Sequence, residues 1–94
     1  MKALTDQQLE IYKEVFPELT KDQIQIAVLL AMGVPEKNIA DLRYVTQDTI
    51  KKTILLIKKK YDVESKSSLL SVFQVKIFHS FLMTYHKFTQ HAIP

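Results

Sequence analysis

Apolar and polar positions along the chain predict helices rather than strands. Thr5–Gln8 and Thr20–Gln23 both have the Thr-x-x-Gln form of a capping box, in which the Thr hydroxyl and the Gln side chain satisfy each other's backbone N–H groups. A first helix is predicted from Asp6 to Phe16, and a second begins after Thr20. One glycine and three prolines leave few of the turn signals that many-stranded folds need, so we expect an all-α fold.

The second and third predicted helices differ in polarity. The second is apolar over residues 26–31, which indicates a central, buried helix, and Gly33 stands where its C-terminus favours a left-handed residue. Pro35 suits the first position of a short third helix, because the N–H group that proline lacks has no partner there. We expect this helix to stop near Arg43.

Two longer helices complete the predicted chain. Thr46 is a suitable N-cap for a fourth helix over residues 47–61, and Ser65 can cap a last helix over residues 66–89. We expect one domain over residues 1–94, made of an N-terminal helix extension at 1–18, a helix-turn-helix core at 19–64 and a long C-terminal dimerisation helix at 65–94.

Composition narrows the class of protein. With 94 residues, of which 47% are hydrophobic and 24% charged, the chain fits a folded soluble domain. The absence of cysteine excludes disulfides, thiolate catalysis and cysteine-ligated zinc. No apolar run approaches the roughly 20 residues that span a bilayer. We therefore expect a cytoplasmic protein with no cofactor and no membrane contact.

Positive charge is concentrated in one segment. The net charge is only +3, but residues 43–60 carry six basic side chains against one acid, Asp48, whereas residues 1–42 carry seven acids against four lysines. A short helix, a three-residue turn at 44–46 and a basic helix follow one another in this part of the chain. That order is typical of a helix-turn-helix, whose second helix lies in the major groove of DNA.

The predicted fourth helix has two contrasting faces. One stripe, which we expect to face the core, consists of Ile50, Ile54, Ile57 and Tyr61. The opposite half carries side chains that can neutralise phosphates, namely Lys51, Lys52, Lys58 and Lys59. Side chains able to reach base edges from the N-terminal turns are Gln47, Lys52 and Thr53. The alternative is a charged face that contacts only solvent.

Several positions between residues 19 and 63 stand in a fixed register. They are Leu19-Thr20, Leu29-Leu30-Ala31-x-Gly33, Lys37-x-Ile39-Ala40, Val45-Thr46-x-x-Thr49-Ile50-Lys51, Ile54, Ile57, Lys60 and Val63. In this register the segment resembles, without a gap, the helix-turn-helix domain of LuxR/GerE-type bacterial transcription regulators. The resemblance implies a four-helix DNA-binding domain that dimerises through its last helix and regulates transcription.

The same resemblance implies roles for single side chains of the fourth helix. The implied contacts are to the DNA backbone from Thr49 and Lys51, to bases from Lys52 and Thr53, and to phosphates from Lys59 and Lys60. Double-stranded DNA is therefore the expected partner.

Five positions depart from the family pattern. Gln23 replaces a Glu, Arg43 a buried Leu and Asp62 a Gly. We expect Arg43 to be available to a phosphate or an acid, and Asp62 to tolerate a positive φ. Leu55 and Leu56 replace polar residues, and Leu55 lies outside the core stripe. These two leucines are expected to touch either a thymine methyl group or a partner protein.

The last predicted helix carries a regular apolar stripe. Its members are Phe73, Ile77, Phe81, Tyr85 and Phe88. A small domain has no core large enough to cover both sides of such a helix, so we expect the stripe to pair with a second subunit in a homodimer. The alternative is that the N-terminal helix covers the stripe within one chain.

Other kinds of chemistry have little support in the sequence. His79 and His86 lack a further ligand at metal-binding spacing, and no Gly-rich phosphate loop or nucleophile elbow is present, so we expect no enzyme. The predicted function is a dimeric, sequence-specific DNA-binding regulator of transcription. The competing prediction is a protein-interaction module, related to such regulators, that binds another regulator through Leu55, Leu56 and the last helix. A sigma-factor-like promoter-recognition fragment is a third alternative.

Overall fold

The computed structural model describes the backbone of residues 4–92 and the side chains of residues 4–89. Five helices and no strand occupy this range: α1 (Asp6–Val15), α2 (Lys21–Ala31), α3 (Glu36–Arg43), α4 (Gln47–Lys60) and α5 (Lys66–Ala92). The predicted all-α class is confirmed. Residues 1–3 and 93–94, which belong to the two predicted terminal segments, lie outside the described residues.

Most of the helices begin at a residue whose side chain caps the first turn. Both capping boxes are formed, with N–H···O distances of 3.0 and 3.2 Å in each, at Thr5–Gln8 and Thr20–Gln23. Thr46 and Ser65 also accept a backbone N–H from the first turn of α4 and α5. Pro35 differs from the prediction, because it is the N-cap of α3 rather than its first helical residue. The predicted ends of α1 and α4 were each one residue too late.

Three helices end on a residue with a left-handed backbone. After α2, α3 and α4 these residues are Gly33 (φ 88°), Tyr44 (φ 57°) and Asp62 (φ 53°). In each case the following valine N–H donates, over 3.0 Å, to the carbonyl five residues before it. The expectations for Gly33 and Asp62 are confirmed. Tyr44 was not foreseen, because this conformation costs a residue with a side chain roughly 1–2 kcal/mol.

The core is organised around α2. Every residue of Gln23–Leu30 is buried, and α2 packs against the other four helices. Leu69 and Phe73 of α5 are completely buried on it. The Phe73 ring meets the edges of two others, Phe16 at 5.6 Å and Tyr61 at 6.3 Å between ring centres. These contacts join α5 to the ends of α1 and α4.

A buried amide fixes the N-terminal end of the described chain. The Gln25 side chain accepts the Leu4 N–H at 2.9 Å and donates to the Leu4 carbonyl at 3.2 Å. Both polar groups of Leu4 are thereby paired inside the core, where an unpaired group costs about 1–3 kcal/mol. This contact holds the segment before α1 against α2.

Helix α5 extends beyond the other four helices, so its C-terminal half is not packed against them. It is continuous and reaches Ala92, beyond the predicted end at Thr89. The molecule measures 53 × 28 × 20 Å along its principal axes. Within the described range, no helix has the length of apolar sequence that crossing a membrane requires.

Candidate nucleic-acid interface

Helix α4 is anchored by one face and open on the other. Ile50, Ile54 and Ile57 are buried and Tyr61 is partly buried against the core, so the predicted stripe faces the core. Helix α3 packs along α4, and residues 44–46 join the two. The Thr46 hydroxyl accepts a backbone N–H at 3.1 Å and fixes the start of α4. The side chains opposite the stripe therefore stand on a rigid element and face solvent.

The open face of α4 is basic. Lys51, Lys52 and Lys59 are exposed, and Lys58 is half-buried. The Lys52 Nζ lies 3.2 Å from a carboxylate oxygen of Asp48, one turn earlier, and both side chains are more than 70% exposed. An exposed pair of this kind contributes at most about 1 kcal/mol, so Lys52 can exchange Asp48 for another anion at small cost.

Lys60 is exposed like Lys51, Lys52 and Lys59, but it differs from them in having hydrogen-bond partners elsewhere in the chain. Its ammonium donates to the Glu18 carbonyl at 3.0 Å and to the Gln23 side-chain oxygen at 2.7 Å. Lys60 follows Ile57 by three residues and so lies beside the core stripe. These two hydrogen bonds fasten the end of α4 to residues 18–23.

The polar side chains near the start of α4 are partly engaged. The Thr49 hydroxyl lies 2.9 Å from the Thr46 hydroxyl, and the Thr53 hydroxyl donates to the Thr49 carbonyl at 3.1 Å. Each hydroxyl oxygen keeps acceptor capacity in these arrangements. Gln47 is exposed at the first residue of the helix.

Large apolar side chains interrupt the basic face. Leu55 and Leu56 are each 52% exposed, and Tyr44, in the turn before α4, is 86% exposed. Tyr44 combines a left-handed backbone with an unburied ring, a kind of strain that clusters at functional sites. Sequence reasoning missed Tyr44. The available signal was an aromatic residue at a helix end, where Gly or Asn is usual.

Arg43 pairs with an acid rather than pointing toward the open face. Its guanidinium lies 2.7 Å from a carboxylate oxygen of Asp22, and its side chain is only 16% exposed. An acid is one of the two kinds of partner that the sequence predicts for Arg43. Arg43 therefore braces α3 against the start of α2.

The Glu18 carboxylate links the end of α4 to α5. It accepts the Tyr61 hydroxyl at 2.9 Å and lies 3.7 Å from the Lys76 Nζ. Burial alone would raise the pKa of Glu18, but its own backbone N–H, Tyr61 and Lys76 together hold that pKa below its ordinary value. Burial, then the contact with Glu18, raises the pKa of Tyr61. The stability that Glu18 contributes is present at neutral pH and is lost as the pH falls through its lowered pKa.

The structure divides the apolar stripe predicted on α5. Phe73 is completely buried and is not available to a second subunit, so the prediction is corrected there. Ile77 is partly buried against the core and also lines an apolar groove between α1, α2 and α5. The reason is that α1 and α2 cover the first half of α5. Phe81, Tyr85 and Phe88 lie beyond this cover and are exposed.

No family model, curated protein or solved structure matches this chain. Among the described side chains, no group of three or more acidic or histidine residues is placed to hold a metal ion. Two surfaces stand out in the part of the chain that the structure describes: the basic face of α4 and the projecting half of α5.

Proposed function

We propose that this chain is a sequence-specific DNA-binding regulator of transcription, acting as a dimer through a helix-turn-helix made of α3, residues 44–46 and α4. The observation that carries the proposal is the open face of α4. There Lys51, Lys52 and Lys59 stand on a helix whose other face is fixed in the core. The major groove is about 12 Å wide and admits one helix.

The proposed interface divides phosphate contacts from base contacts. Helix α4 lies in the major groove, and α3 braces it from behind. The lysines of α4 neutralise phosphates, with Lys52 leaving Asp48 to do so. Gln47 and Thr53 lie on the early turns of the helix, from which base edges are read. With four lysines in each subunit and Lys60 bound within its own chain, a dimer neutralises about eight phosphates.

Binding to random-sequence duplex DNA tests the proposal. By fluorescence anisotropy we expect affinity to fall about 10³–10⁵-fold between about 50 and about 200 mM salt, because six to ten phosphate contacts release that many counterions. Light scattering in the same buffers reports the mass of the binding species. Absence of binding at the lower salt concentration would contradict the proposal.

The two exposed leucines of α4 allow the proposed interface to recognise an apolar group on the DNA. Leu55 and Leu56 lie on either side of Lys52 on the open face, and the thymine methyl is the apolar group in the major groove. On a DNA site selected by the protein, replacing thymine by uracil removes the methyl and keeps the hydrogen-bonding groups. We expect affinity to fall roughly fourfold for each thymine methyl that a leucine covers.

The matched control for this measurement is the double variant Leu55→Ala and Leu56→Ala. It should bind the thymine and uracil forms of the site equally, while keeping the salt dependence of the unmodified protein. If the unmodified protein does not distinguish the two forms, the leucines do not read methyl groups.

A protein-interaction module is the second candidate, favoured by the same two exposed leucines. In that case Leu55→Asp abolishes binding to a partner regulator, whereas the double variant Lys51→Ala and Lys52→Ala keeps it. For a DNA-binding protein the double lysine variant has the larger effect.

A further inference from the structure

The second half of α5 leaves the body with large apolar side chains exposed. Phe73 is completely buried and Ile77 still packs against the core. The exposed large apolar residues of α5 are Val75, Phe78, Phe81, Leu82, Met83, Tyr85 and Phe88. Four of them, Phe78, Phe81, Tyr85 and Phe88, lie on one side of the helix, and a contiguous exposed apolar patch of this kind marks an interaction site.

An apolar groove opens where α5 leaves the body. It has a volume of about 570 Å³ and lies between α1, the end of α2 and α5. Its walls include Tyr12 from α1, Met32 after α2, and Phe78 and Phe81 from α5. Met32 is 74% exposed, so the groove is open to a chain approaching from outside.

The exposed rings of α5 have the spacing of a coiled-coil seam. Phe78, Phe81, Tyr85 and Phe88 are separated by three, four and three residues, as a and d positions are. The four flanking positions carry no charge and are Ile77, Leu82, Thr84 and Thr89. An identical helix laid along this seam therefore meets no like charge, and the seam runs directly into the groove.

We propose that two copies of this chain pair through α5 in antiparallel order, each placing Phe88 in the groove of the other. In a pair centred on residue 83, residues at equal distances from the centre lie opposite one another. Phe81 then meets Tyr85 of the second copy, and Phe78, in the groove wall, meets Phe88. The two-fold axis repeats each contact, so both grooves and both projecting halves are covered at once.

The exposed area fits a second copy. An aromatic side chain buries 150–250 Å² when fully covered, so the four exposed rings offer roughly 400–650 Å² in each copy. Met32 and Leu82 add to this area. A standard stable interface takes roughly 600–1,000 Å² from each partner, so the rings together with Met32 and Leu82 reach the lower part of the range that a stable dimer needs.

Sedimentation equilibrium of the full chain over a range of concentrations tests the pairing. We expect a dimer for the unmodified protein and at least about a 100-fold rise in its dissociation constant for Phe88→Glu, because a charge replaces the ring that fills the apolar groove of the other copy. Met32→Lys should weaken the dimer as well, although Met32 lies outside α5. Met83→Glu, on the far side of the helix from the seam, is the matched control and should leave the dimer intact.

Mixing the two variants gives the sharper test. Met32→Lys and Phe88→Glu are each expected to be monomeric alone, because each places a charge against an apolar group in both halves of the pair. Together they should form a heterodimer, in which one groove holds a lysine opposite a glutamate and the other is unmodified. A monomeric unmodified protein, or a Phe88→Glu variant that dimerises as before, would overturn the proposal.

The test is independent of DNA binding, because the substituted residues lie on α5 and at the end of α2 rather than on the open face of α4. A chain that dimerises as described and ignores DNA would refute the proposed function alone. A monomer that binds DNA, with the smaller salt dependence that the four lysines of one subunit give, would refute the pairing and the dimeric part of the proposed function, and would leave DNA binding by α4 standing.

Discussion

Phe73→Ala is expected to lower the free energy of unfolding by about 3–5 kcal/mol, a large share of the roughly 5–15 kcal/mol that a folded domain has. The ring is completely buried and touches Phe16 and Tyr61 edge-on. Its removal leaves a cavity where α1, α4 and α5 meet. The loss of stability has two parts: the lost free energy of burying the ring, and the cost of a cavity that the surrounding side chains cannot fill.

Urea denaturation at several protein concentrations distinguishes a core role from an interface role for Phe73. A core residue produces the same destabilisation at every concentration. An interface residue produces a destabilisation that disappears once dilution has separated the subunits. Phe88→Ala provides the contrast, because this exposed ring should matter only where the dimer forms and change the monomer by less than about 0.5 kcal/mol. If the destabilisation by Phe73→Ala depended on protein concentration, Phe73 would be a dimer-interface residue rather than a core residue.

The order and limits of the helices could be predicted because they depend on neighbouring residues. A capping box needs four consecutive residues, as at Thr5–Gln8 and Thr20–Gln23, and both formed as the sequence indicates. The left-handed backbone after α2 and α4 likewise falls on Gly33, which adopts it readily, and on Asp62, which tolerates it. The stripe of α4 faces the core because helical period alone selects one face.

Contacts between distant parts of the chain could not be predicted. The helical repeat places Phe73 and Phe88 on the same face of α5. It does not determine how far along α5 the contacts with α1 and α2 extend. The partners of Lys60, which are Glu18 and Gln23, lie 42 and 37 residues away in the chain. The groove beside Met32 depends on the same packing of three helices and has no local signature in the sequence.

The α4 surface was more predictable than the α5 surface for a physical reason. A helix with one apolar stripe packs that stripe against the core, and its other side chains therefore face solvent. Helix α5 is apolar on several sides, and only the length of the body decides which of its residues stay exposed. Tyr44 is a different case, since its left-handed backbone opposes the preference of its residue type.

Lys51→Ala combined with Lys52→Ala is expected to lower DNA affinity on the order of 10³-fold at about 50 mM salt. This variant removes four cationic side chains from a dimer, and each one contributes roughly 0.9 to the slope of log affinity against log salt concentration, so the slope should fall by about 3.6. Both side chains are exposed, so the fold should be unchanged. Anisotropy titrations at several salt concentrations give the affinity and the slope together.

Asp48→Asn is the matched control, and it is expected to change DNA affinity in the opposite direction. It removes a negative charge from the open face and releases Lys52 from its 3.2 Å contact, so DNA affinity should rise. A purely structural role for these side chains would give no such pair of opposed effects. If the double lysine variant kept the original slope while Leu55→Asp abolished binding to a protein partner, the open face of α4 would be a protein-binding surface, and its lysines would contact only solvent.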